Sequence, residues 1–180
     1  MQKQTLVLSS NIYFLQQGID LLSDITDTLY ITNNGEYNKS GIGRHFRHII
    51  EHYFSFVNED SGKIDYDARE RNLQLENDRL FMISTMKKII DSLTVMLQEP
   101  DRLDTEVLVR SNEGSGEENS PLSKSTLRRE LQFLISHTVH HYALIGLILK
   151  TMGYNPDASF GVAPSTLRYE KEKSSEGIAS

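Results

Sequence analysis

The chain has no cysteine. Disulfides, thiolate nucleophiles and cysteine-based zinc fingers are excluded, and any metal held by its side chains must rest on His, Asp or Glu. Tryptophan is absent as well, which argues against aromatic cages and sugar-stacking platforms. No apolar run reaches the roughly 18 residues that span a bilayer, so no membrane partner is expected. The opening MQKQTLVLSSN is only briefly apolar and lacks a small-residue cleavage site. No signal peptide is expected, and a cytoplasmic location is the default. Positive charge is in deficit: 19 Lys and Arg against 25 Asp and Glu leave a net charge of −6. Without a long basic stripe, a general nucleic-acid-binding role is set aside.

What is present suits one domain. The 180 residues are 38% apolar and 24% charged, enough to bury a core. Four segments repeat apolar residues every three to four positions, the helical period. The first, about 5–30, carries Leu8, Ile12, Leu15, Ile19, Leu22, Ile25 and Leu29. A polar turn, 32–39, follows. The second begins near Ser40 as N-cap and carries Ile42, Phe46, Ile49, Tyr53 and Val57. A charged connection, 60–72, leads to the third helix, about 73–98, with Leu80, Ile83, Met86, Ile90, Leu93 and Leu97 on one face before Pro100. RLDTEVLVR, 102–110, reads as a short strand or extended arm, and SNEGSGEENS, 111–120, as a mobile loop. The fourth helix starts near Ser123 or Ser125 and ends at Gly153, a C′ glycine. The pattern predicts an all-α fold: an antiparallel four-helix bundle over 1–155, with a long loop or short extended segment between helices three and four. The tail, 156–180, reads as partly packed and partly disordered, the last ten residues or so most of all.

All six histidines fall in two places: His45, His48 and His52 on helix two, and His137, His140 and His141 on helix four. Residues three or four apart share a helix face. His137 and His141 therefore share one, at the spacing that lets two imidazoles hold one ion. On a helical wheel at about 100° per residue, His141 falls within the stripe of Leu134, Ile145, Ile148 and Met152. His137 falls at its edge and His140 points away. On helix two, His45 and His52 lie at the stripe's edge and His48 beyond them. Periodicity thus supplies a pair from helix four and leaves the third ligand open. A lone core histidine is usually a hydrogen-bonded packing residue, but a metal accounts for several buried imidazoles at once. No HExxH is present, since residue 138 is Thr. No Gly-rich phosphate loop or Glu-x-x-His di-iron motif appears either.

SGIGRHFRHIIEHY (40–53) and FLISHTVHHYALIGLILKTMG (133–153) together resemble the DinB-like (damage-inducible, YfiT-like) metal-binding superfamily, over about residues 5–155. The matching positions are His48, in RHIIE, and His137 with His141. The resemblance implies a four-helix bundle, often a homodimer, with a divalent ion, zinc or nickel, on these three histidines and with open coordination positions. It further implies a small-molecule substrate. Some members are transferases or isomerases that use low-molecular-weight thiols, others are taken for hydrolases, and many have no known reaction. His45 and His52 flank His48, and His140 adjoins His141, so these three stand as alternative ligands or outer-shell partners. Tyr66, Asp67, Arg69 and Arg71, in the connection after helix two, are candidate pocket residues. Phe54, Phe56 and Phe133 read as apolar surface beyond the needs of one core, in line with a homodimer. Two rival readings stand beside the metal enzyme: a non-catalytic binding or stress-related module with structural histidines, and a pH switch in which clustered imidazoles repel on protonation.

Overall fold

The computed structural model describes residues 5–32, 41–59, 61–111 and 120–176. Four long helices carry most of the core: α1 (Leu6–Asp24), α3 (Ile42–Val57), α5 (Arg79–Met96) and α6 (Leu127–Thr151). Shorter elements punctuate them: α2 (Asp27–Ile31), β1 (Lys63–Asp65), α4 (Leu73–Asn77), a 3-10 turn (Pro100–Asp104), β2 (Glu106–Arg110), β3 (Ser123–Thr126) and α7 (Pro164–Glu176).

The fold is not all-α. A three-stranded sheet of order β1-β2-β3 joins the helices, with β1 parallel and β3 antiparallel to β2. The extended reading of 102–110 corresponds to β2. The charged connection hides β1, and Ser123 and Ser125 lie in β3 instead of starting a helix. Thr126 is the N-cap of α6, accepting from Arg129 N–H. Such short strands carry only one or two inward side chains, here Ile64, Val107 and Val109, too few to show a period of two.

The helix directions also differ from a simple antiparallel bundle. Asn11 meets the Leu131 carbonyl and the Phe14 carbonyl accepts from the Tyr142 hydroxyl, so α1 and α6 run parallel. His45 faces His141 while Tyr53 reaches Thr138, so α3 runs against α6. Met86 packs on Gly18 and Arg79 donates to the Leu22 carbonyl, so α5 runs against α1. Consequently α3 and α5 are parallel. A parallel pair needs a long crossover, and residues 58–72 supply it, travelling back along the length of α3. Gly43 permits the return: a Cβ there would strike the Glu76 backbone, where α4 lies on the first turn of α3.

Other boundaries shift for local reasons. The first predicted helix breaks at Ile25, which is extended, and Thr26 caps α2 by accepting from Leu29 N–H. The third breaks at Asp78, which caps α5. Its inward face is Met82, Met86, Ile89 and Leu93, while Leu80 is exposed. Gly41 is the N-cap of α3. Ser40, residues 33–39 of the polar turn, residues 112–119 of the loop and residues 177–180 of the tail lie outside the described residues. Gly153 has φ +80 after α6, with Tyr154 N–H on the Leu149 carbonyl and Gly153 N–H on the Lys150 carbonyl, the Schellman pattern. Beyond it, Phe160 stacks on Tyr142 at 4.7 Å, and 164–176 is helical as α7.

Phe56 is buried, and Phe54 and Phe133 are partly buried against the chain's own core.

A buried polar network fixes the register of α1, α3 and α6. Asn11, fully buried, donates to the Val7 and Leu131 carbonyls and accepts from the Tyr53 hydroxyl, which in turn accepts from Thr138 at 3.4 Å. Removing one member leaves the others desolvated and unpaired. Asn11→Ala is expected to cost about 2–3 kcal/mol in chemical denaturation. A loss under about 0.5 kcal/mol would show that the remaining groups find new partners.

Candidate metal centre

Two antiparallel helices supply the imidazoles, so their histidines interleave. His52 lies against His137, ring centroids 4.1 Å apart. His48 lies between His137 and His141, 4.8 Å from each. His45 meets His141 through their Nδ1 atoms at 3.0 Å. His140 is exposed and meets His141 edge-on, as its wheel position implies. One ring nitrogen from each of His48, His52 and His137 lies within 4.8 Å of the other two. The wheel set His48 furthest from the apolar stripe of its helix, yet it occupies the middle of the cluster. The reason is that α6 lies beside the apolar axis of α3, and the helix interface is polar where the two meet.

Burial governs the charge of these rings. It draws His48 and His137 down to about 4, His141 to about 3 and His52 to about 2, with neighbouring imidazoles adding to the effect at all four and the Arg69 guanidinium at His48, His52 and His137. Burial also lowers His45, next to Arg44. All five are neutral at pH 7, the form that binds a cation. His137 Nε2 is buried and has no hydrogen-bond partner among the described residues.

The second wall is the crossover segment, and the sheet holds it. Leu108 N–H donates to the Gly62 carbonyl and Tyr66 N–H to the Arg110 carbonyl. The Asp65 carboxylate accepts from Asp67 and Ala68 N–H and pairs with Arg110 at 3.2 Å. So fixed, Tyr66 packs its ring 5.4 Å from His52 and 5.3 Å from Phe133. Burial and the nearby Glu130 carboxylate push its hydroxyl well above the usual range, so it stays protonated. Arg69 Nη1 donates to the Tyr66 carbonyl and to His52 Nε2, the latter at 3.1 Å. His52 Nδ1–H donates to the His48 carbonyl at 2.7 Å. Both His52 nitrogens are therefore engaged.

The far end of the segment is tied by charge. Glu51, buried, accepts from Arg47 at 3.0 Å and from Asn72 N–H, and Arg47 also pairs with Glu76 at 2.9 Å. The spacing of Arg47 and Glu51 in RHIIE marks a possible helix pair, but nothing in the sequence signals that it is buried. Asp67 and Arg71 line a cleft of about 330 Å³ that opens onto His48 and His141. All four residues singled out in the connection thus border the histidines: Tyr66 and Arg69 by direct contact, Asp67 and Arg71 along the cleft.

The donors suit a divalent ion. Three nitrogens at 2.0–2.1 Å from a tetrahedral ion stand about 3.4 Å apart. The set of His48, His52 and His137, within 4.8 Å, needs to close by no more than about 1.4 Å, with His52 giving up one of its hydrogen bonds.

No family model matches the chain. Over 110 residues, 61% of the chain, the sequence is 32% identical to "FK506-binding protein 5" of Rhizopus delemar. The match covers 28% of that protein, so the chain corresponds to less than a third of its relative. No helix among the described residues is long and apolar enough to cross a membrane.

Proposed function

We propose that the imidazole cluster is a mononuclear divalent-metal centre, zinc or nickel, in an enzyme of the transferase or hydrolase kind acting on a small molecule. The observation that carries this is His137 Nε2, buried without a partner among neutral imidazoles. A desolvated, unpaired nitrogen costs about 1–3 kcal/mol, and a metal bond removes that cost. The resemblance to DinB-like proteins points to the same chemistry.

His48 and His137 belong to both possible ligand sets. For the third position we favour His141 over His52. The Nδ1 of His141 faces His45, an outer-shell contact that orients the ring, and among the described residues no hydrogen bond engages its Nε2. His52 spends both nitrogens on the His48 carbonyl and Arg69. In this reading His52 is a positioning residue that braces His48 and the crossover segment. A divalent ion on three neutral ligands would keep its full charge and lower the pKa of a bound water or thiol. The chain has no cysteine, so a thiol would come from a low-molecular-weight cosubstrate. His141→Ala is expected to abolish metal binding and His52→Ala to retain at least half of it, read by elemental analysis after dialysis against zinc. The reverse pattern would assign the third position to His52. Homodimerisation, implied by the resemblance alone, is checked by sedimentation.

The match to an FK506-binding protein favours a second reading, a non-catalytic module of an FK506-binding protein. Saturable FK506 binding that persists in a His48→Ala, His137→Ala variant would support it.

A further inference from the structure

We infer that the cleft beside the imidazole cluster is an anion site, and that the small molecule it takes carries a carboxylate or phosphate group seated on Arg44 and Arg71. The inference rests on the reading of the cluster as a metal centre, because it places the anionic end of the substrate next to that centre.

The cleft runs against the charge of the rest of the protein. The chain carries −6 overall, yet guanidinium groups dominate this concavity. Among them Arg47 is paired with Glu51 and Glu76, and Arg69 lies in the field of Glu51 and Asp67. Arg44, Arg69 and Arg71 form no ion pair with a carboxylate among the described residues, while the free carboxylate on the wall is Asp67. Counting Glu76, which pairs with Arg47 from outside the lining, four guanidiniums stand against three carboxylates, a surplus of one positive charge. Like charges held on a concave wall without partners are unfavourable, and a bound anion relieves them. The histidines there are neutral and add no further positive charge.

Geometry narrows the ligand. The volume, about 330 Å³, is at the lower end of small-molecule sites and too confined for a folded macromolecule. Arg69 is committed through Nη1 to His52 and the Tyr66 carbonyl, so it fixes the floor. Arg44 and Arg71 are exposed and have no side-chain hydrogen bond among the described residues, so their planar forks are free to grip a carboxylate or phosphate in two places. His48 and His141 line the same cleft, so the rest of a molecule anchored there shares that space with them.

The test is calorimetric titration of inorganic phosphate and of succinate, separately, into zinc-loaded wild-type protein and an Arg44→Glu, Arg71→Glu variant. Low ionic strength is used, with metal content measured on each sample. Saturable binding by one or both anions, at least tenfold weaker in the variant with metal content unchanged, is the expected result. The anion that binds more tightly identifies the group. Equal affinity in the variant would overturn the inference, since the anion would then rest on the metal alone, and the metal reading would stand. No binding to the wild type would overturn it too. If the wild type takes up no metal, the proposed function fails, and titrations of the metal-free proteins decide this inference by the same tenfold criterion.

Discussion

Glu51→Ala is expected to lower the stability of the protein by about 3 kcal/mol and its Tm by roughly 6–12 °C. Glu51 is 5% exposed and Arg47 8%, so the pair sits where an unmatched charge is costly. The substitution strips Arg47 of one of its two carboxylates and leaves the Asn72 N–H without an acceptor. Glu76 remains, at 2.9 Å and more exposed, which keeps the expected cost at the low end of the range for broken buried pairs. The consequence extends to the site, because Asn72 anchors the end of the crossover segment that carries Tyr66 and Arg69. Thermal denaturation checks this. A loss under about 1 kcal/mol would mean that Glu76 alone satisfies Arg47.

Acid is the second large effect. An unfolded histidine titrates near 6.5, whereas His48 and His137 are held at about 4, His141 at about 3 and His52 at about 2. Below pH 6.5 the unfolded chain therefore takes up protons that the folded chain refuses. Stability is full above the unfolded value and falls as pH drops from 6.5 toward 4. With four rings contributing in the same direction, the metal-free protein should show a flat Tm between pH 7 and 8 and a steep decline from 6.5 to 5. Most carboxylates are still ionised in that window, so the slope reports the imidazoles. Bound metal would steepen the decline, because protons and metal compete for the same lone pairs. A Tm unchanged between pH 7 and 5 would mean that the rings are solvated and protonated without penalty.

The parts of this fold that follow one period along one helix are legible in the sequence. Leu8, Leu15, Ile19 and Leu22 on α1 and Ile42, Phe46, Ile49 and Tyr53 on α3 are buried as their spacing implies, and Gly153 terminates α6. The sorting of histidines onto two helices likewise foreshadows the cluster. What escapes depends on pairing between distant segments. Strand β1 owes its existence to β2, 45 positions on in register, and three residues cannot announce that partner. Asn11 is buried because it bridges two helices, yet a polar residue contributes nothing to an apolar stripe. The orientation of His48 depends on where α6 lies against α3, which no single wheel contains. The parallel run of α3 and α5 follows from the crossover, whose length and charge alone suggest an ordinary solvated loop.

The central claim is that the imidazoles hold a metal. The direct measurement is elemental analysis of purified, untagged protein after dialysis against zinc and nickel. A His48→Ala, His137→Ala variant, shown by circular dichroism to be folded, is measured alongside. The account predicts about one ion per chain in the wild type and none in the variant. A wild type without metal, or a variant that retains it, would contradict the account.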